Sequence, residues 1–127
     1  MRPLRVYVAG ALSGQAVKTE RTPSRVVVEY IQNIHDMCKA ATTVRQFGMC
    51  PFVPALDVLL GVADGLWDEE MYRGLSMPWL GVSDAMYVIS ESSGVERERV
   101  RANELGIPVV YTLVDLLHIE EKMRNEE

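Results

Sequence analysis

Leu4-Arg5-Val6-Tyr7-Val8-Ala9-Gly10 is a short run of β-branched and aromatic residues that stops at a glycine. It reads as a buried first strand. Gly10-Ala11-Leu12-Ser13-Gly14 follows as a turn-rich loop, and polar residues then run to Thr22-Pro23. Thr22 is a good helix cap, and Pro23 suits a first helical position. Val27, Ile31, Ile34, Cys38 and Ala41 recur at helical spacing, with Tyr30, Met37 and Val44 widening the stripe. They predict a long amphipathic helix ended by Gly48.

The same alternation continues along the chain. Met49 to Val53 reads as a second strand stopped by Pro54. Ala55 to Leu66 is apolar with two glycines, consistent with a short helix and a loop. Asp68-Glu69-Glu70 opens a helix with acids in its first turn, where the dipole favours them. Pro78 is expected to kink or divide that helix. Ala85 to Ser90 reads as a third strand. Ser92-Ser93-Gly94 turns into a helix from about Val95 to Leu105, capped by Gly106. Pro108 to Leu113 is a fourth strand, and the charged tail from Val114 is a helix expected to fray after Met123. Strands alternating with helices predict one α/β domain over residues 1–127, a three-layer sandwich around a mostly parallel sheet.

Composition narrows the function classes. The chain has 127 residues, 48% hydrophobic and 24% charged, with a net charge of -5. A protein that binds long nucleic acid usually carries a basic stripe. The densest basic stretch here, Arg97 to Arg101, is interrupted by Glu98, so a small ligand is the better expectation. Cys38 and Cys50 form no C-x-x-C pair, and the two histidines lie far from both, which argues against zinc. No long apolar run suggests a membrane span or a signal peptide. The expected setting is cytoplasmic. Trp67, Met71, Met77 and Trp79 cluster in and around one helix. They either complete the core or form a contact between subunits.

In a parallel α/β sheet, ligands collect beyond the carboxyl ends of the strands. Three segments should meet there: the loop after strand one, the Ser90 to Gly94 loop with the start of its helix, and the amino end of the helix from Asp68. Backbone N–H groups at a helix start attract anions, and serine hydroxyls add donors. Glu98 lies one turn beyond Gly94 and could face the same cleft. From spacing alone a second reading is open, in which Ser92 or Ser93 caps a helix and Glu98 is a surface acid beside Arg101.

Taken in order, Val6-Tyr7-Val8-Ala9-Gly10, Pro51-Phe52-Val53-Pro54, Ser83-Asp84-Ala85, Ser92-x-Gly94-x-x-x-Glu98 and Glu104-Leu105-Gly106-Ile107-Pro108-Val109 resemble the nucleoside 2-deoxyribosyltransferase-like superfamily. The likeness covers nearly the whole chain up to Tyr111. It implies a flavodoxin-like fold that cleaves or exchanges N-glycosidic bonds of nucleosides or nucleoside 5′-monophosphates. Glu98 would be the nucleophile and Tyr7 its positioner. Gly10, Ala11 and Ser13 of the first loop, Ser76, and Ser92, Ser93 and Gly94 would line the substrate, with Ser92 near a 5′-phosphate. No metal or organic cofactor is implied, and small members often pair as homodimers that complete each other's pockets.

The chain departs from that pattern at Ser76, where these enzymes usually carry an aspartate that binds and protonates the departing base. Serine is no comparable acid at neutral pH. A nucleotide-binding module without catalysis is therefore the alternative. Ala11 and Ser13 also replace a hydroxyl and a basic or bulky residue found in some nucleotide hydrolases. Asp84 begins strand three, which places it at the far end of the sheet in a structural role.

Overall fold

A computed structural model of the protein describes residues 2–12 and 23–126. Four parallel strands form one sheet in the order β2-β1-β3-β4. They are β1 (Arg5–Ala9), β2 (Cys50–Phe52), β3 (Ala85–Val88) and β4 (Val109–Val110). Five α-helices are present among the described residues: α1 (Pro23–Gln46), α2 (Val58–Asp64), α3 (Glu69–Gly81), α4 (Ser93–Glu104) and α5 (Leu113–Asn125). A single 3-10 turn, Pro54–Asp57, joins β2 to α2. This is the expected flavodoxin-like α/β sandwich.

Alternation along β1 builds both faces. Val6 and Val8 point into a core shared with Met37, Ala41 and Val44 of α1 and Leu116 of α5. Tyr7 and Ala9 point the other way, against Leu80 of α3 and Val95 and Ala102 of α4. Burying apolar side chains on both sheet faces is what a parallel sheet requires. β2 is an edge strand, which explains how it tolerates Pro51. β1 and β3 are neighbours although they are not consecutive in sequence, so the strand order reverses between them. A crevice opens at such a switch point.

Local chemistry sets the element ends. Ser92 caps α4 by accepting from the Val95 N–H, Asp68 caps α3 through Met71, and Thr112 caps α5 through Asp115. Gly48 and Gly106 take left-handed conformations after α1 and α4. Asp84 receives both Arg2 guanidinium nitrogens, at 2.5 and 2.7 Å, and the Arg5 backbone N–H at 2.8 Å. It thus staples the chain start to the entry of β3, at the end of the sheet opposite the crevice. Burial raises its carboxyl, but the Arg2 hydrogen bonds, the Arg5 N–H and the two charges outweigh this and hold it below its ordinary value.

Two expectations, the length of β4 and the buried stripe of α1, need correction. α3 runs undivided through Pro78 to Gly81. Proline there removes only the donor to the Gly74 carbonyl, and both residues are exposed to water. β4 is two residues long, because Thr112 is drawn into capping α5. α5 extends to Asn125. On α1 the buried residues are Met37, Ala41 and Val44, whereas Val27 and Ile31 are exposed. A helix of 24 residues is about 36 Å long, roughly twice the span of a five-residue strand, so its first half overhangs the sheet. Thr22 lies outside the described residues.

Gly74, inside α3, would meet nothing within 4 Å if given a Cβ. Gly74→Ala is expected to stabilise the protein by about 1 kcal/mol, read from denaturant or thermal unfolding.

Candidate functional site

Beyond the carboxyl ends of β1 and β3 lies a cavity of about 430 Å³. That volume falls within the range of about 300–1,000 Å³ usual for small-molecule sites. Gly10 enters it from the end of β1, and Gly94, Arg97 and Glu98 enter from the first turns of α4. Ser76 and Met77 come from α3, and Pro54, Ala55 and Val58 from the segment after β2. Tyr30 of α1, Trp67 and Tyr72 complete an aromatic wall.

Glu98 occupies the inner part of this cavity, next to Tyr7. Burial raises its carboxyl above the ordinary glutamate value, while the Tyr7 hydroxyl and the Arg97 charge pull part of the way back. Tyr7 is fully buried on β1. Burial first, and then the charge of Glu98, push its phenol well above the ordinary tyrosine value, so it stays protonated. Its hydroxyl interacts with both Glu98 and Ser76 yet completes no hydrogen bond of ordinary geometry. It is poised beside Glu98 rather than bonded to it, and a near contact outside hydrogen-bond geometry gains little. A buried hydroxyl left in this condition costs stability. Such groups collect where a ligand or a reaction uses them.

The sequence-derived site residues divide as follows. Gly10, Ser76, Gly94 and Glu98 line the cavity, with Tyr7 beside Glu98. Ala11, Ser92 and Ser93 are not among its lining residues. The Ala11 N–H donates to Ser90 Oγ at 2.7 Å, which pins the loop after β1 to the loop after β3. The Ser92 hydroxyl oxygen caps α4, which leaves its O–H to donate elsewhere, and Ser93 is exposed on the first turn of that helix. Ser13 lies outside the described residues. Arg101 pairs with Glu104, so it does not occupy Glu98 as the surface-acid reading required. Trp67 and Met77 line the cavity, whereas Met71 and Trp79 are exposed.

The two glycines serve different ends. A Cβ on Gly10 would come within 3.0–3.1 Å of Met37, Ser90 and Ile89 side-chain atoms, so packing favours glycine there. A Cβ on Gly94 would meet only Ser92 Oγ at 3.7 Å and Arg97 at 3.8 Å, ordinary contacts. Packing does not require glycine at position 94, which lines the cavity. Gly94→Ala is expected to stabilise α4 by up to about 1 kcal/mol while weakening ligand binding, a split that unfolding and binding titrations would read separately.

Sequence reasoning missed Asp57 and the place of Tyr30, Tyr72, Arg73 and Arg97 on the cavity wall. Asp57 ends the 3-10 turn after β2. One of its carboxylate oxygens is buried without a hydrogen-bond partner, and burial raises its carboxyl. Its charge also reaches Tyr7. The available signal was its place just after a strand end. Asp68 does reach the cavity wall, although one of its oxygens is engaged by the Met71 N–H. Glu91 and Glu96 both pair with Arg99, which also donates to the Tyr111 hydroxyl, so the loop after β3 is braced from outside the cavity.

Among the described residues no helix is long and apolar enough to cross a membrane. No protein-family model, curated protein or solved structure significantly matches the chain.

Proposed function

We propose that this cleft cleaves or exchanges the N-glycosidic bond of a nucleoside or nucleoside 5′-monophosphate. The observation that carries the proposal is the juxtaposition of a cavity-lining Glu98 with the buried, unsatisfied Tyr7 hydroxyl at the switch point of the sheet. In the proposed reaction the Glu98 carboxylate attacks the anomeric carbon. The bond to the base breaks, its electron pair leaves on the base nitrogen, which takes up a proton from solvent, and a glycosyl ester forms on Glu98. Water or a second base then attacks the same carbon, gives up its proton to solvent and releases the carboxylate. A carboxylate suits both halves, since it stabilises an oxocarbenium-like transition state and then adds to it. Tyr7 holds the attacking oxygen in line.

The test is base release, followed by chromatography, from ribo- and deoxyribonucleosides and their 5′-monophosphates, with and without an acceptor base. Release that disappears in Glu98→Ala supports the proposal. Release undiminished in that variant would sink it.

Ser76 favours a second reading. It lines the cavity where the resembling enzymes carry an acid, and its hydroxyl interacts with Tyr7. A nucleotide-binding module without turnover would bind the same ligands and release no base.

A homodimer is the assembly we favour. α2 is nearly all apolar yet buries none of its residues, leaving Leu59, Leu60 and Val62 exposed near Leu66. An apolar face of this kind commonly marks a subunit contact. The two free thiols, Cys38 and Cys50, suit a reducing, cytoplasmic setting.

A further inference from the structure

Trp67 and Tyr72 lie against each other with ring centroids 5.2 Å apart and planes tilted by 37°. Both rings are only half-buried, and both face the cavity. Tyr30, from the overhanging half of α1, joins them on the same wall and lies close enough to feel Tyr72 electrostatically. Two features fix this arrangement from below. The Tyr72 hydroxyl donates to the Val58 carbonyl at 3.3 Å. Gly61 of α2 sits directly under the pair, where a Cβ would collide with the Tyr72 hydroxyl and approach Trp67 Cβ to 3.0 Å. α2 therefore acts as a seat for two rings that the core itself does not enclose.

Their position relative to Glu98 gives them meaning. Tyr72 and Ser76 lie four residues apart on α3, so they share one face of the helix, offset by about 6 Å. Ser76 is at the Tyr7 and Glu98 end of the cavity, and Tyr72 is one turn away. A sugar whose anomeric carbon faces Glu98 thus places its substituent toward the rings.

We propose that Tyr30, Trp67 and Tyr72 form a stacking subsite for the flat, uncharged heteroaromatic base of the ligand. This rests on the glycosidic reading of Glu98 for its orientation, but not for its existence. Stacking on aromatic rings is tolerant, because every base has a π-face. The subsite accepts both purines and pyrimidines and holds the larger purine more tightly.

The protein has two tryptophans, so Trp79→Phe leaves Trp67 as the sole indole reporter. In that background adenosine should quench the emission saturably. Cytidine should do so more weakly, and ribose 5-phosphate should have no saturable effect. Adding Tyr72→Leu should raise the adenosine Kd by about tenfold, whereas Tyr72→Phe, which keeps the ring and loses only the bond to Val58, should stay within about twofold. Trp67→Leu in the otherwise unchanged chain, followed by calorimetry, repeats the test without altering Tyr72.

The proposal fails if adenosine produces no saturable quenching, if ribose 5-phosphate quenches equally, or if folded Tyr72→Leu and Trp67→Leu bind adenosine like their parents. The two readings separate cleanly. Ring-dependent binding without Glu98-dependent base release removes the glycosidase and keeps the subsite. Glu98-dependent release with a KM indifferent to both ring substitutions does the reverse.

Discussion

Glu98→Gln is expected to lower the rate of base release by at least about 10³-fold, and at the same time to raise the thermal stability at neutral pH. Both effects come from one feature. Glutamine keeps the shape and loses the attacking charge, so no glycosyl ester can form. The stability effect follows from linkage. Burial raises the Glu98 carboxyl above its ordinary value, so the folded protein holds that proton more tightly than the unfolded chain does. Its favourable contribution is full below the unfolded value and is lost as pH rises through the raised folded value. At neutral pH the wild type bears a charge its surroundings disfavour, and the glutamine variant does not. Melting curves of the two proteins should therefore differ most at neutral pH and converge in acid, where Glu98 is protonated. For the same reason the acid limb of the wild-type rate profile should lie above the usual carboxylate range. Equal melting temperatures at all pH values would show that Glu98 is not destabilised by burial.

Tyr7→Phe should also separate activity from stability. The hydroxyl is buried and without a proper hydrogen bond, and such a group typically costs about 1–3 kcal/mol. Part of that cost is offset by its near contacts with Glu98 and Ser76. Phenylalanine fills the same space against Phe52, whose ring centroid lies 5.8 Å away. The variant should be more stable by up to about 1 kcal/mol. Its kcat should fall by about 10–100-fold with little change in KM, since the hydroxyl orients the nucleophile rather than binding the ligand. A purely structural role for Tyr7 would leave the pH profile unmoved. Here the hydroxyl lowers the Glu98 carboxyl, so its removal should shift the acid limb to higher pH. An unmoved limb would detach Tyr7 from Glu98.

These expectations describe a site that sacrifices stability for poise. The fold around it is otherwise satisfied. The starts of α3, α4 and α5 are capped by Asp68, Ser92 and Thr112, and apart from Tyr7 no residue with a polar side-chain group is fully buried among those described. Orphaned oxygens remain at Tyr7, Asp57 and Glu29. Tyr7 lies beside Glu98 and the charge of Asp57 reaches Tyr7, which fits the general tendency of unsatisfied groups to gather where chemistry is done.

Much of this was legible from the chain alone, because it depends on neighbours in sequence. The strand at Leu4 to Ala9 follows from β-branched alternation, and Gly48 and Gly106 mark helix ends because only glycine easily takes the left-handed turn. Parallel pairing follows from the helix between each pair of strands. The meeting of Gly10, Gly94 and Glu98 follows from that topology, and so does the exile of Asp84 to the far end.

Tertiary structure alone decided the rest, and each case turns on competition between distant groups. Ser92 caps α4 through its hydroxyl oxygen and does not line the cavity, although Gly94 and Glu98 of the same helix do. Val27 and Ile31 match the helical stripe as well as Met37 does, but the sheet is too short to reach them. Tyr30, Trp67 and Tyr72 come from three separate segments, and no local period relates them. Local sequence thus determined which elements form and which strand ends bear the site. The packing of helices of unequal length on a small sheet determined which rings wall the cavity and which polar atoms were left unpaired inside it.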